Sequence, residues 1–290
     1  MNTTFQNQIK KEYSDKKILV TGASGYLSTN LIDSLKDVDC TVIRLSRKGV
    51  LPPIAGKAHV IDRQGDIVCR ETWEQVLGEV DIVYHMAGQT SVYVADEKPF
   101  DDMEVNVKSM LLLLAVCRDK KIKPIVVFSG TSTEVGIPET LPVNETFLDQ
   151  PVTLYDLHKL MAENYLKLFC QYGCVSGASL RLTNVYGPGP QSGSKDRGVL
   201  NQMMRKALGG EPLMVYGEGE FVRDYVFIDD VINAFLSVPM SPVKTNGKHF
   251  LIGSGEGNSI FQAATMVAER VKNKKAVSVS IQHIKPPSNL

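Results

Sequence analysis

Short, uninterrupted apolar runs return along this chain, and between them lie stretches whose apolar residues keep helical spacing. Ile18–Val20, CTVIRL at 40–45, AHVID at 58–62, VDIVYHMAG at 80–88, PIVVFSG at 124–130 and GASLRLTNVYG at 177–187 read as strands. Leu27, Leu31, Ile32 and Leu35 mark a helix, and Thr72–Leu77, Val105–Lys120 and Tyr155–Tyr172 read as others. A strand apolar on both faces must be covered on both, and strands alternating with helices pair in parallel. The pattern therefore predicts an α/β fold: a doubly wound parallel sheet with helices on both faces.

After Gly187 the texture changes. GPGPQSGSKDRG is a Gly/Pro/Ser-rich loop of the kind that carries ligand contacts or moves, Val199–Leu208 reads as helical, EPLMVYGEGEF as short strands and turns, and Val226–Leu236 as a helix. We expect a loose polar arm at 1–16, a large domain at 17–186 and a smaller cap at 187–290, some of it returning to the first domain. The 290 residues carry 32 basic and 32 acidic side chains, and this zero net charge argues against a nucleic-acid binder. No apolar run approaches the roughly 18 residues of a membrane span; Met110–Cys117, with eight, is the longest. The polar N-terminus lacks the apolar core of a signal peptide, and five unclustered cysteines suggest reduced thiols, so a cytoplasmic protein without a metal is expected.

The first strand runs into VTGASGYLS and then a helix. Gly22 permits a turn that a side chain would block, Gly25 lets the backbone approach a pyrophosphate, and the helix N-terminus offers unpaired N–H groups. Ser28 takes the third small position. This is a dinucleotide turn. A cofactor without a 2′-phosphate meets an acid at the end of the second strand, yet no acid lies between Asp39 and Asp62. Ser46 and Arg47 stand there instead, with the groups to hold a phosphate, so NADP(H) is expected, with NAD as the alternative.

Tyr155 and Lys159 are four apart on a predicted helix and share a face. A Tyr pKa near 10 must fall about three units to serve as a base at pH 7, which requires ~4 kcal/mol. An ammonium about 4 Å away at an effective dielectric near 20 supplies about that much. His158, between them, is expected to face outward, and Trp73 to pack.

The ordered set VTGASGYLS, Gly65-Asp66-Ile67, His85-Met86-Ala87-Gly88, Asn106, FSGTSTEVG, PVTLYDLHKLMAE, RLTNVYGPG and VRDYVFIDDV resembles the extended short-chain dehydrogenase/reductase superfamily, in its nucleotide-sugar epimerase/dehydratase branch, over about residues 17 to 255. The resemblance implies a Rossmann-type domain with a substrate-binding cap. It implies a cofactor held by Gly22, Ser24, Gly25, Tyr26 and Leu27, by Ser46 and Arg47, by Asp66 and Ile67 at the adenine, and by Met86, Ala87, Gly88, Asn106 and Ser129. Tyr155 would move the proton of a sugar hydroxyl, and Lys159 would bind the nicotinamide ribose and tune Tyr155. Thr131, five residues before Gly136, would be the hydroxyl on the reacting oxygen, with Ser132 as runner-up. Asn184 and Arg223 would bind the substrate's diphosphate, and Ser132 and Val199 complete the expected substrate contacts. Helices 105–120 and 155–172 resemble those the family pairs in a homodimer. Members of the family continue for a few dozen residues past the point where this chain stops, at PPSNL.

Hydride transfer at C4 of a nucleotide sugar leaves several outcomes open. A 4,6-dehydratase carries an Asp-Glu pair after the catalytic Thr, and ungapped counting puts Ser132 and Thr133 there, with Glu134 reached only by a one-residue deletion. The Ser46/Arg47 reading sets an NADPH-dependent 4-ketoreductase slightly ahead of a 4-epimerase, with dehydratase or decarboxylase chemistry and a non-enzymatic NADP-binding regulator behind.

Overall fold

A computed structural model describes residues 3–189 and 198–285. Two compact units divide the chain: Met1–Leu182 with Asp229–Ile252, and Thr183–Ile228 with Gly253–Leu290.

The larger unit begins with helix α1 (Thr3–Tyr13), β1 (Lys17–Thr21), α2 (Tyr26–Leu35), β2 (Thr41–Ser46), β3 (His59–Gln64), α3 (Arg70–Val76) and β4 (Ile82–His85). Two short helices, α4 (Val92–Glu97) and α5 (Pro99–Met103), lead into a π-helical segment, Glu104–Lys108, and α6 (Ser109–Lys120). Then come β5 (Ile125–Thr131), a 3-10 turn at Ser132–Val135, α7 (Leu154–Gln171) and β6 (Ser176–Leu182). Strand β6 and β7 (Asn184–Tyr186) part at Thr183, so the single strand expected over 177–187 is two strands in different sheets. The smaller unit holds β7, α8 (Val199–Leu208), β8 (Leu213–Tyr216) and β9 (Val222–Phe227). Helix α9 (Ile228–Met240), α10 (Pro242–Thr245) and β10 (Lys248–Ile252) return to the larger unit; β11 (Gly257–Ser259), α11 (Ile260–Lys275) and β12 (Ile281–Ile284) complete the smaller one. The helix expected from Val226 starts only after β9, because VRDYVF is extended and paired with β7 and β11.

Seven parallel strands form the central sheet in the order β10-β6-β5-β4-β1-β2-β3. The sequence order reverses between β1 and β4, so their carboxyl ends open a crevice where such sheets bind ligands. Leu19, Val83, Val126 and Phe128 pack against α3, α6 and α7 through Trp73, Leu113 and Leu166 in one continuous core. Burying each such side chain contributes about 1.5–3 kcal/mol. The expected polar arm is instead an 11-residue helix. Its Ile9 and Tyr13, one turn apart, are buried, and the Tyr13 hydroxyl bonds Tyr84 Oη at 2.5 Å and Leu236 O at 2.8 Å.

In the smaller unit β11, β9 and β7 form one sheet, β12 and β8 another, and Met203, Ala207, Leu213, Val215, Ala264, Val267 and Val271 pack between α8, α11 and β8. Of the Gly/Pro/Ser-rich loop, residues 190–197 lie outside the described ones. No described helix is long and apolar enough to cross a membrane.

Candidate functional site

Strand β1 runs into Gly22, which has φ +62°; a Cβ there would stand 2.9 Å from Ala87 Cα, so only glycine lets the turn after β1 lie against the loop after β4. Thr21 Oγ1 ties the same two strand ends by accepting from Met86 N at 3.1 Å and Ala87 N at 3.0 Å. Ser28 is buried and donates to Thr21 O at 3.2 Å, which fixes α2 against β1. Helix α2 starts behind Gly25 without a side-chain cap, leaving its terminus at a turn of Gly22, Ser24, Gly25, Tyr26 and Leu27. His85, buried at the end of β4, meets Thr21 Oγ1 at 3.1 Å and Ser109 Oγ at 3.2 Å. Burial, with the charge of Lys159 nearby, drives its pKa down to about 3, so a neutral imidazole links β1, β4 and α6.

At the end of β2, Ser46 is buried and its hydroxyl accepts from Lys48 N at 3.2 Å and contacts Gly49 O at 3.4 Å. Arg47 is exposed, and its guanidinium engages nothing among the described residues. Arg44 is committed elsewhere: its guanidinium clasps Asp62 at 2.7 and 2.9 Å and donates to Pro52 O. Asp66 is half-buried and caps Val68 N at 3.2 Å, while Ile67 O accepts from the buried indole of Trp73 at 2.8 Å.

Tyr155 and Lys159 lie one turn apart near the start of α7, whose N-terminus is capped by Thr153. Tyr155 is half-buried. Lys159 is only 2% exposed; its ammonium donates to Ser129 O at 2.8 Å and lies 4.6 Å from the centre of the Phe128 ring. Burial lowers its pKa to about 8, with Glu134 and Asp102 pulling upward. A Cβ on Gly88 would stand 2.9 Å from Asn106 Oδ1 and 3.5 Å from Lys159 Nζ, so the missing side chain keeps open a space bordered by both. Asn106 Oδ1 is buried without a hydrogen-bond partner among the described residues. The turn at Gly22, the uncapped helix and this open acceptor fit a dinucleotide laid across β1 and β4.

The loop after β5 departs from expectation in detail. Thr131 caps the 3-10 turn, and Glu134 Oε1 accepts from Thr131 N at 3.0 Å. Thr133 Oγ1 donates to Asp156, so the 2.8 Å contact between Thr131 and Thr133 takes the Thr131 proton and leaves its oxygen as an acceptor. Ser132 is half-buried, with its hydroxyl uncommitted among the described residues. Glu134 is fully buried; its other oxygen lies 3.0 Å from Arg181 Nε without being aligned as a hydrogen bond. Arg181 donates instead to Glu163 and Asp149. Burial, then the charge of Glu163, raises the Glu134 pKa.

His158 does not face outward. It is 7% exposed, and its Nδ1 donates to the fully buried Asp102 at 2.6 Å. Its place next to Lys159 was visible in the sequence; its acidic partner, 56 residues away, was not.

In the smaller unit Asn184 and Arg223 are exposed on the sheet of β7 and β9. Asn184 Nδ2 donates to Asp224 O at 3.1 Å, and Arg223 donates to Val222 O at 2.8 Å. Val199 is exposed at the first turn of α8.

Residues 18–253 match the model of the NAD dependent epimerase/dehydratase family. A Methanocaldococcus jannaschii protein provisionally named UDP-glucose 4-epimerase is 30% identical over 243 residues, 83% of this chain and 77% of that protein. The structure of UDP-glucose 4-epimerase with UDP-glucose from Thermotoga maritima superposes with a TM-score of 0.82 at 28% identity, covering 94% of this chain and 86% of that one. The Thermus thermophilus UDP-glucose 4-epimerase complex with NAD gives a TM-score of 0.78 at 27% identity, covering 94% and 87%.

Proposed function

Because the chain belongs to the NAD-dependent epimerase/dehydratase family of nucleotide-sugar enzymes, we propose that it is a 4-epimerase of a nucleotide-linked hexose, with a UDP-hexose as the substrate class. The relatives named above favour this over the 4-ketoreductase placed slightly ahead on sequence.

The observation that carries the proposal is the buried Lys159 ammonium, one turn after Tyr155 and beside the space at Gly88. With a pKa of about 8 it stays charged at pH 7 and favours the phenolate of Tyr155. Gly22, Gly25 and α2 would hold the cofactor's pyrophosphate, and Gly88, Asn106 and Lys159 its nicotinamide end. A nicotinamide held there would supply a reversible hydride acceptor for C4 of the sugar. Tyr155 Oη takes the 4-hydroxyl proton and gives it back. With the Thr131 proton engaged at Thr133, Ser132 is the hydroxyl left to donate to the reacting oxygen, and Thr131 Oγ1 accepts from a neighbouring sugar hydroxyl. Asn184 and Arg223 bind the diphosphate, the Arg through a charge-assisted pair. Glu134, buried against Arg181 and capping Thr131 N, supplies no acid to a substrate, which speaks against dehydration or decarboxylation. The exposed Leu111 on α6 and Leu154, Leu157, Met161 and Leu168 on α7 suit a homodimer formed through these helices.

A second reading keeps one observation in its favour. With no acid at the end of β2 and Arg47 unengaged, a 2′-phosphate is tolerated and NADPH-dependent reduction is open. Chromatography of a UDP-hexose panel after incubation with enzyme and NAD⁺ separates the two. Interconversion of 4-epimers supports the proposal; inertness toward every 4-hydroxy sugar, with NADPH oxidised by 4-keto sugars, refutes it.

A further inference from the structure

The turn of α7 that carries Lys159 also carries a histidine that the proposed chemistry does not use. His158 Nδ1 donates at 2.6 Å to Oδ2 of Asp102, at the end of α5. Asp102 is 0% exposed, and its Oδ1 accepts from Gln89 Nε2 at 2.8 Å and from Asn106 Nδ2 at 2.9 Å. The second hydrogen of Asn106 Nδ2 goes to Gln89 O at 3.2 Å. A carboxylate and a carbonyl only accept, so the amide nitrogen of Asn106 must face both. Its oxygen is thereby turned the other way, toward the space at Gly88 that Lys159 also borders, and there it is buried and unpaired among the described residues. Asn106 itself sits in the wider π-helical turn at Glu104–Lys108, which sets where its side chain leaves the helix. A buried acceptor left open beside an ammonium is a place for a hydroxyl donor.

We propose that Asp102 and His158 are positioning residues that hold Asn106 with its amide oxygen toward a hydroxyl of the bound cofactor, beside Lys159. The inference rests on reading Gly88, Asn106 and Lys159 as the cofactor's place. Asp102 acts through Asn106; His158 acts through Asp102 by fixing the carboxylate plane. Without them the amide is free to turn and present N–H groups beside Lys159, which leaves the hydroxyl's own hydrogen without an acceptor there.

The test is a double-variant cycle read by calorimetric titration of the full chain with NAD⁺, with melting temperature recorded in parallel. Asp102→Ala should weaken NAD⁺ affinity about three- to tenfold, the size of one net hydrogen bond. In an Asn106→Ala background the same change should alter affinity by less than about twofold, because nothing is left to orient. Asp102→Asn should recover most of the loss: its oxygen still accepts from Asn106 and Gln89, and its nitrogen donates to the other tautomer of His158. If Asp102→Ala does not fold, His158→Phe carries the same cycle. Equal losses with and without Asn106, or an Asp102→Asn variant as weak as Asp102→Ala, overturn the proposal. A native protein that binds neither NAD⁺ nor NADP⁺ overturns the cofactor reading itself, and this inference with it.

Discussion

Replacing Lys159 by Met should stabilise the folded protein while removing its activity. The ammonium is held at 2% exposure, and burial lowers its pKa from 10.5 to about 8. Each pH unit of that lowering corresponds to ~1.4 kcal/mol, so burying the charge costs on the order of 3 kcal/mol at pH 7. Methionine has nearly the same length, keeps the contact with Phe128 as a sulfur–aromatic one, and carries no charge to bury. Against this, Ser129 O loses the donor that Lys159 supplies at 2.8 Å, at a cost of ~1 kcal/mol. The net expectation is a gain of about 2 kcal/mol at pH 7. The pH dependence gives the sharper check. Between about 8 and 10.5 the unfolded chain holds the Lys159 proton and the folded chain has released it. The unfolded state then binds more protons, so native stability rises with pH through that window. The variant lacks this titration, and its advantage should shrink steadily toward pH 10. Urea unfolding of both proteins at pH 7 and pH 10 reads this directly. A variant less stable than the native protein at pH 7, or an advantage equal at both pH values, refutes the reasoning.

Tyr155→Phe keeps the ring but removes the transferable proton; turnover should fall about 10²- to 10⁴-fold with melting temperature and NAD⁺ affinity little changed, and a variant within threefold of native would show that another group moves the proton. Arg47→Ala should weaken NADP⁺ binding at least about tenfold by calorimetry, the loss of one charge-assisted contact, and leave NAD⁺ unaffected; equal effects on both would remove Arg47 from 2′-phosphate recognition. Glu134 has its pKa raised by burial and by Glu163, so the folded state keeps a proton that the unfolded state has lost, and this group makes stability fall as pH rises above the ordinary carboxylate range. Glu134→Gln should therefore flatten the decline in unfolding free energy from about pH 5 upward; an unchanged profile would place that decline in other groups.

The central sheet was legible because buried parallel strands leave continuous apolar runs, and Ile18–Val20 or Ile125–Phe128 admit few other readings. The glycine turn was legible because Gly22 meets a backbone, Ala87, that no side chain could approach. What escaped has physical reasons. Helix α1 is polar over most of its length and held by two buried residues, Ile9 and Tyr13, too few to raise a periodic signal. Val222–Phe227 runs straight into α9, so the apolar Val226 counts equally well toward the strand or the helix. The outward expectation for His158 fails because α7 is buried on more than one side: Asp156, His158, Lys159 and Glu163 are all enclosed, and spacing on one helix says nothing about what the other sides meet. Asp102 stood in an acidic run, DDME, of which the sequence gives no sign that one carboxylate turns inward.

The measurement that tests the central claim most directly follows deuterium at C4. Incubating the enzyme with UDP-[4-²H]glucose and catalytic NAD⁺, then resolving the UDP-hexoses by chromatography and mass spectrometry, shows where the label travels. If Tyr155 and Lys159 serve a 4-epimerase, the 4-epimer forms with deuterium retained at C4 and no net change in reduced nicotinamide. A 4-keto product that accumulates with deuterium transferred to the cofactor, or a sugar that keeps its configuration throughout, contradicts it.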